Sequence, residues 1–234
     1  MQHKRLVRAQ VEILYSQSAV TFLFPVVASI ILAFALWSVA NRAMLIGWLA
    51  VVWIYAIFRY GMLWKYTRSE ITLDNASKWH DVFVAAVCLS GIMWGLAAII
   101  LIPHDGKNII EFTLYTGITL LSVSGLVAGA TISYAVSLMV LFFYVFPALL
   151  PPALYLITLG DIYSSTLGGF ILLYCFFIST AGYRMNKQLL GYINKQYELE
   201  KLKYQYQKLL LLYEKASSNT TRKPKQRATA KSQK

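Results

Sequence analysis

Charge is nearly missing from the middle of this chain. Six apolar runs follow one another between residues 19 and 183, and the only formal charges inside them are Arg59 and Glu111. The chain has 234 residues and is 58% hydrophobic. A composition this apolar excludes an ordinary soluble domain. The runs also lack the polar stripe that a surface helix of a soluble bundle needs.

Cysteine and histidine are scarce as well. Cys88 and Cys175 fall inside different runs, so we expect neither a disulfide nor a metal cluster. The histidines His3, His80 and His104 lie at or beyond the ends of the runs, which argues against haem held by histidine within a membrane.

Catalytic groups are equally hard to find. No lysine lies in a run for a retinal Schiff base, and Glu111, near the end of its run, is expected to face water. The sequence has no pair of carboxylates in the runs, no phosphate-binding glycine loop and no zinc spacing. We therefore expect a protein that is not an enzyme and that carries no cofactor or metal.

Each apolar run is long enough to cross a bilayer, since about 20 residues suffice. The sequence predicts an all-α fold, a polytopic membrane protein with six transmembrane helices and no cleavable signal peptide. The predicted spans are 19–39, 43–63, 82–102, 109–129, 136–158 and 163–183. The weakest boundary is the one between the fourth and fifth spans, placed at the small, weakly polar residues 130–135.

Positive charge predicts the orientation. With the N-terminus in the cytoplasm, the inner side holds nearly all lysines and arginines outside the spans, and the outer side holds only Arg42 and Lys107. Six spans then place both termini in the cytoplasm. Arg59 fits this orientation if its side chain reaches the inner headgroups. The net charge of +12 indicates attraction to anionic lipid headgroups at that face and not nucleic-acid binding.

Residues 1–18 precede the first span. Val7, Val11 and Leu14 recur at helical spacing, which is typical of an amphipathic helix at the inner interface. The same pattern also fits an inward extension of the first transmembrane helix.

Beyond the last span, residues 184–215 are rich in helix-forming residues. A seven-residue repeat favours a parallel coiled coil, although Lys195 interrupts it. A basic amphipathic helix on the inner leaflet is the alternative. Residues 216–234 carry six positive charges and no acid, and we predict a disordered basic tail. The residues of the predicted coiled-coil seam are Tyr192, Leu199, Leu202, Tyr206, Leu209 and Tyr213.

Hydroxyl groups gather in the fourth span. They could line a pocket for a small hydrophobic or amphiphilic ligand, or serve only helix packing, which is the simpler interpretation. The candidate ligand-binding residues are Thr113, Thr116, Thr119 and Ser122.

Glycine and proline mark two further features. The pairs Gly91 and Gly95, and Gly125 and Gly129, have the spacing that lets helix backbones approach closely. Prolines in the fifth span remove backbone donors and bend the helix, so this span is either a movable part or a shaped wall. These prolines are Pro147, Pro151 and Pro152.

The whole pattern resembles the MASE-like six-helix membrane input domain of bacterial diguanylate cyclases and sensor histidine kinases. Residues 5–10 and 14–17 resemble the stretch before the membrane, residues 125–130 and the proline-containing span resemble the middle spans, and the helix from Arg184 resembles the signalling helix. The resemblance implies a sensor, although no cyclase, phosphodiesterase or kinase domain follows here.

Two functions are therefore carried forward. The first is a sensor or signal-relay module that passes a membrane or small-ligand signal to a cytoplasmic partner, as a homodimer or with another sensor protein. The second is a small permease or an accessory subunit of a membrane complex, for which the hydroxyl-rich fourth span is the main support.

Overall fold

A computed structural model describes the backbone of residues 2–101 and 108–231, and the side chains of residues 4–17, 23–101 and 108–214. Over the described backbone the chain is helical and contains no strand, so the predicted all-α fold is confirmed. The helices are α1 (Gln2–Ser16), α2 (Ser18–Leu36), α3 (Arg42–Thr67), α4 (Ala76–Ile100), α5 (Ile109–Tyr134), α6 (Leu138–Thr158) and α7 (Ile162–Lys231).

Within the described residues, five of these helices are long and apolar enough to cross a membrane: α3, α4, α5, α6 and the described part of α7. The described apolar part of α2, Leu23–Leu36, is shorter than such a span. The structure thus agrees with a helical membrane protein.

The predicted boundary between the fourth and fifth spans is wrong. Residues 130–134 continue helix α5, and the chain turns only at Ala135, Val136 and Ser137. Polar residues are tolerated in this last turn because the Thr131 hydroxyl donates to the carbonyl oxygen of Val127 at 2.8 Å. A small residue with a satisfied hydroxyl therefore does not end a helix.

Short polar side chains begin three of the helices. Asn41 accepts from the backbone N–H of Ala43 at 3.0 Å, and Asn108 accepts from that of Ile110 at 3.2 Å. Asp161 does the same for Ser164 at 2.8 Å. These residues satisfy donors that the first turn of a helix cannot pair internally.

Helices α4 and α6 approach so closely that only glycine fits between them. A Cβ at Gly91 would stand 2.6 Å from the carbonyl oxygen of Tyr144, and one at Gly95 would overlap that of Pro147. The carbonyls of Pro147 and Ala148 lack helical partners because Pro151 and Pro152 have no N–H. The glycine face of α4 thus covers the part of α6 where the helix ladder is interrupted.

Helix α7 also packs on α6 through glycines. A Cβ at Gly168 would lie 2.8 Å from the carbonyl oxygen of Ala153, and Gly182 lies against the side chain of Leu141. Helix α6 is consequently enclosed by helices on two sides, and most of its core-facing residues are fully buried.

Helix α1 docks through an aromatic cluster. Tyr15 is buried, stacks on Tyr66 with ring centroids 3.7 Å apart, and meets Trp79 and Phe83 edge-on. The Tyr15 hydroxyl donates to the carbonyl oxygen of Trp79 at 3.3 Å. Burial raises the pKa of this phenol, so it remains a donor at neutral pH.

The far end of α1 contacts a loop. The Lys4 ammonium lies 2.6 Å from a carboxylate oxygen of Asp74, and this hydrogen bond lowers the pKa of Asp74. Helix α1 therefore lies against α4 and the loop before it, and one turn residue, Gln17, separates it from α2. This geometry favours the separate amphipathic helix over an inward extension of α2.

The chain divides into two compact units, residues 1–187 and 188–234. In the second unit the residues of the predicted seam, from Tyr192 to Tyr213, are all exposed in the single chain. The backbone of α7 is helical to Lys231. This helical backbone differs from the disordered tail predicted for residues 216–234, whose side chains are outside the described ones.

Replacing Gly95 by alanine should destabilise the bundle, because the new methyl group has to displace backbone of α6. We expect a loss of about 1–3 kcal/mol in the free energy of unfolding, the usual cost of overpacking. Reversible unfolding in detergent measures it. Gly117→Ala is the matched control, since nothing lies within 4 Å of its Cβ position. Equal stabilities would contradict the close α4–α6 contact.

Replacing Tyr15 by alanine should release α1. Removing a buried aromatic ring costs about 3–5 kcal/mol, which is enough to undock a short helix. Limited trypsin digestion should then cut rapidly at Arg5 and Arg8. Tyr15→Phe keeps the ring stack and should digest like the original chain. Slow cleavage of Tyr15→Ala would show that α1 is held by other contacts.

Candidate ligand-binding site

A cavity of about 480 Å³ lies between helices α2, α3, α4, α5 and α6. Small-molecule sites typically occupy about 300–1,000 Å³. Its polar end is formed by α3, by the last turn of α5 and by Tyr144 of α6, and the remainder of its lining is largely apolar.

Arg59 is the charged group of this cavity. It is 3% exposed and lies eight residues before the end of α3, about 12 Å along the helix axis at roughly 1.5 Å per residue. Its guanidinium carbon stands 4.6 Å from the ring centroid of Phe83. The expectation that Arg59 reaches the headgroups is therefore wrong, because the side chain turns into the bundle and lies over an aromatic face.

Hydroxyl groups share the lining with Arg59. Tyr55, one turn before it on α3, donates to the carbonyl oxygen of Ala86 at 2.6 Å. Tyr134 and Tyr144 meet edge-on with ring centroids 5.5 Å apart, and both line the cavity. Because the Tyr55 proton is already donated to Ala86, the guanidinium of Arg59 is the group that suits this part of the lining to an anion.

The opposite part of the lining is apolar and opens at the surface of the bundle. Phe24 and Ile31 of α2 line the cavity and are each 63% exposed. Facing them, Gly125 and Gly129 of α5 line it without a side chain, and nothing lies within 4 Å of either Cβ position. This second glycine pair borders the cavity mouth, whereas Gly91 and Gly95 lie at a helix contact.

The hydroxyls predicted for ligand binding mostly serve their own helix. Thr113 donates to the carbonyl of Ile109 at 2.7 Å, and Thr119 donates to that of Tyr115 at 2.9 Å. Thr116 is buried outside the cavity lining. Only Ser122 lines the cavity, and it also donates to its own helix, at 3.0 Å to the carbonyl of Ile118.

The turn after α5 is held by three other helices. The amide of Asn186 on α7 donates to the carbonyl oxygens of Ala135 at 2.7 Å and Val136 at 3.1 Å. Gln10 of α1 donates to the same Val136 oxygen at 2.8 Å. His80 of α4 lies 2.9 Å from the Ser137 hydroxyl. The residues just before this turn, Ser133 and Tyr134, line the cavity.

Sequence reasoning did not place the side chain of Arg59 in the cavity. The available signal was a permanently charged residue inside an apolar run, which usually faces the interior of a bundle or a cavity. The prolines of α6, whose span was predicted to be either a movable part or a shaped wall, lie in a continuous helix from Leu138 to Thr158. No group of three or more histidine, cysteine or acidic residues able to hold a metal occurs among the described residues.

Comparisons of the chain with protein-family models, with curated proteins and with solved structures found no match.

Replacing Asn186 by alanine should loosen the turn after α5. The change leaves the buried carbonyl of Ala135 without this donor, at a cost of about 1–3 kcal/mol. Hydrogen exchange at residues 134–138 should accelerate, and the midpoint of unfolding should fall. Asn194→Ala alters an exposed asparagine of the same helix and should change neither. Unaltered hydrogen exchange in Asn186→Ala would contradict the conclusion that Asn186 holds the turn after α5.

Proposed function

We propose that this protein is a non-catalytic membrane receptor of the bacterial inner membrane. A small amphiphile binds in the cavity at Arg59, and the change is passed through α7 to a cytoplasmic partner. The proposal rests on one observation. The lining residues Ser133 and Tyr134 directly precede the turn that Asn186 holds by hydrogen bonds. A ligand against Ser133 or Tyr134 acts on residues directly bonded to that turn.

A relay needs an element whose position depends on the ligand. The turn 135–137 suits this role because helices α1, α4 and α7 all bond to it. A shift of the last turn of α5 therefore changes the hydrogen bonds of Asn186, which lies immediately before the second unit of the chain. In this proposal the turn, more than the prolines of α6, is the moving part.

Six transmembrane helices with both termini in the cytoplasm complete the proposal. Five described helices have the necessary length, and α2 spans 19 residues, Ser18 to Leu36. The basic residues in the first half of α1, at the C-terminal end of α3 and along the second unit support the orientation. The basic C-terminal residues then lie beside anionic headgroups.

The partner is a second copy of the chain or a related sensor protein. The exposed tyrosines and leucines of residues 192–213 recur at coiled-coil spacing. A resemblance to MASE-like input domains, whose signalling helix continues into an output domain, agrees with this arrangement. The permease alternative is less well supported by Thr113 and Thr119, because both hydroxyls donate to carbonyls of their own helix.

Disulfide crosslinking tests the relay. In a chain with Cys88 and Cys175 replaced by alanine, single cysteines are placed at positions 189–213. We expect efficient dimers at 192, 199, 202, 206 and 209, and little at positions 194, 201 and 208. Crosslinking without a seven-residue period would contradict the parallel coiled coil and favour a helix that lies on the leaflet.

A further inference from the structure

We infer that the cavity binds a single acyl chain ending in a carboxylate, with the carboxylate at Arg59 and the chain between α2 and α5. This inference rests on the proposed function for the site it names. It adds the chemical class of the ligand, which follows from the charge, lining, size and opening of the cavity.

The positive charge of Arg59 indicates that the ligand is an anion. A guanidinium away from water interacts with an anionic oxygen far more strongly than at a surface, because the local dielectric is low. Guanidinium and carboxylate match in a two-point, charge-assisted geometry. Among the described residues that line the cavity, Arg59 is the only lysine, arginine, aspartate or glutamate. One cation fits a head group with one negative charge better than a phosphate monoester with nearly two.

The lining identifies the rest of the ligand. Away from Arg59 the walls come from residues such as Val27, Ile31, Met93 and Leu126, which present carbon and sulfur and no charge. A small inorganic anion would leave this part of the cavity unfilled, whereas an acyl chain would cover it. Burial of each methylene contributes to binding, so both ends of such a ligand have a partner.

The volume and the opening of the cavity limit the class of ligand further. A volume of about 480 Å³ accommodates one acyl chain with its head group but not a phospholipid with two chains. The exposed Phe24 and Ile31 stand opposite Gly125 and Gly129, so the mouth faces the outside of the bundle, which is lipid in the proposed membrane setting. A fatty acid dissolved in the leaflet can enter by this route without crossing water.

Equilibrium binding of radiolabelled palmitate to the full chain in phosphatidylcholine nanodiscs tests the inference. We expect saturable binding of one palmitate per chain. Methyl palmitate, which has the chain without the charge, and lysophosphatidate, which has a phosphate head, should each compete at least about tenfold more weakly, the loss expected for a charge-assisted hydrogen bond. Equal competition by either compound, or an absence of saturable binding, would overturn the assignment.

Variants separate the two ends of the site. Arg59→Gln should weaken palmitate binding by about tenfold or more. Gly129→Leu should do the same by closing the mouth, and Gly117→Leu, on the same helix outside the cavity lining, should bind normally. If Arg59→Gln does not fold, the comparison of Gly129→Leu with Gly117→Leu and the competition by methyl palmitate still test the inference. Wild-type affinity in Gly129→Leu would overturn the proposed entrance.

Two further measurements identify the occupant and separate this inference from the relay. Loss of palmitate binding in phosphatidylglycerol nanodiscs would assign the site to a bilayer headgroup and overturn the fatty-acid assignment, whereas unchanged binding supports it. Crosslinking of the Leu202→Cys chain with and without palmitate then tests the relay. Palmitate that binds but leaves the crosslinking rate unchanged supports the ligand and overturns the receptor function.

Discussion

The carbonyl oxygens of Pro147 and Ala148 occupy space that side chains of α4 would otherwise fill, and the rest of the bundle is arranged around that contact. Because α6 covers the glycine face of α4, the adjacent face of α4 presents Ser90 and Met93 to the cavity. A wider separation of these two helices would move both lining residues, and Tyr144 of α6 with them. The shape of the site thus depends on a backbone-to-backbone approach.

The buried Arg59 also contacts the aromatic cluster that holds α1. Phe83 lies against the guanidinium on one side and against the ring of Tyr15 on the other, at 5.1 Å between the two ring centroids. The cavity is therefore connected to α1 by two successive ring contacts. It is connected to α7 separately, through the turn after α5. Helices from both ends of the chain are in this way coupled to one internal charge.

The all-helical fold and several helix ends followed from the sequence, because the length of an apolar run is a local property. The site did not, because periodicity cannot say which way a long side chain turns: Arg59 lies near enough to the end of α3 to reach headgroups or to enter the bundle. The position of the α5 hydroxyls could not be predicted for a related reason. Both Thr119 and Ser122 donate to their own helix, and only the packing of the bundle decides that Thr119 is buried between helices while Ser122 lines the cavity.

The buried position of Arg59 constrains how the protein is made. Synthesis proceeds from the N-terminus, so the helix that carries Arg59 is made before Phe83, Tyr134 and Tyr144. Tyr55 of the same helix is already present, but the guanidinium can lie over the Phe83 ring only once α4 has been made. The lining also needs residues of α5 and α6, so the site is completed well after its charged residue has been synthesised.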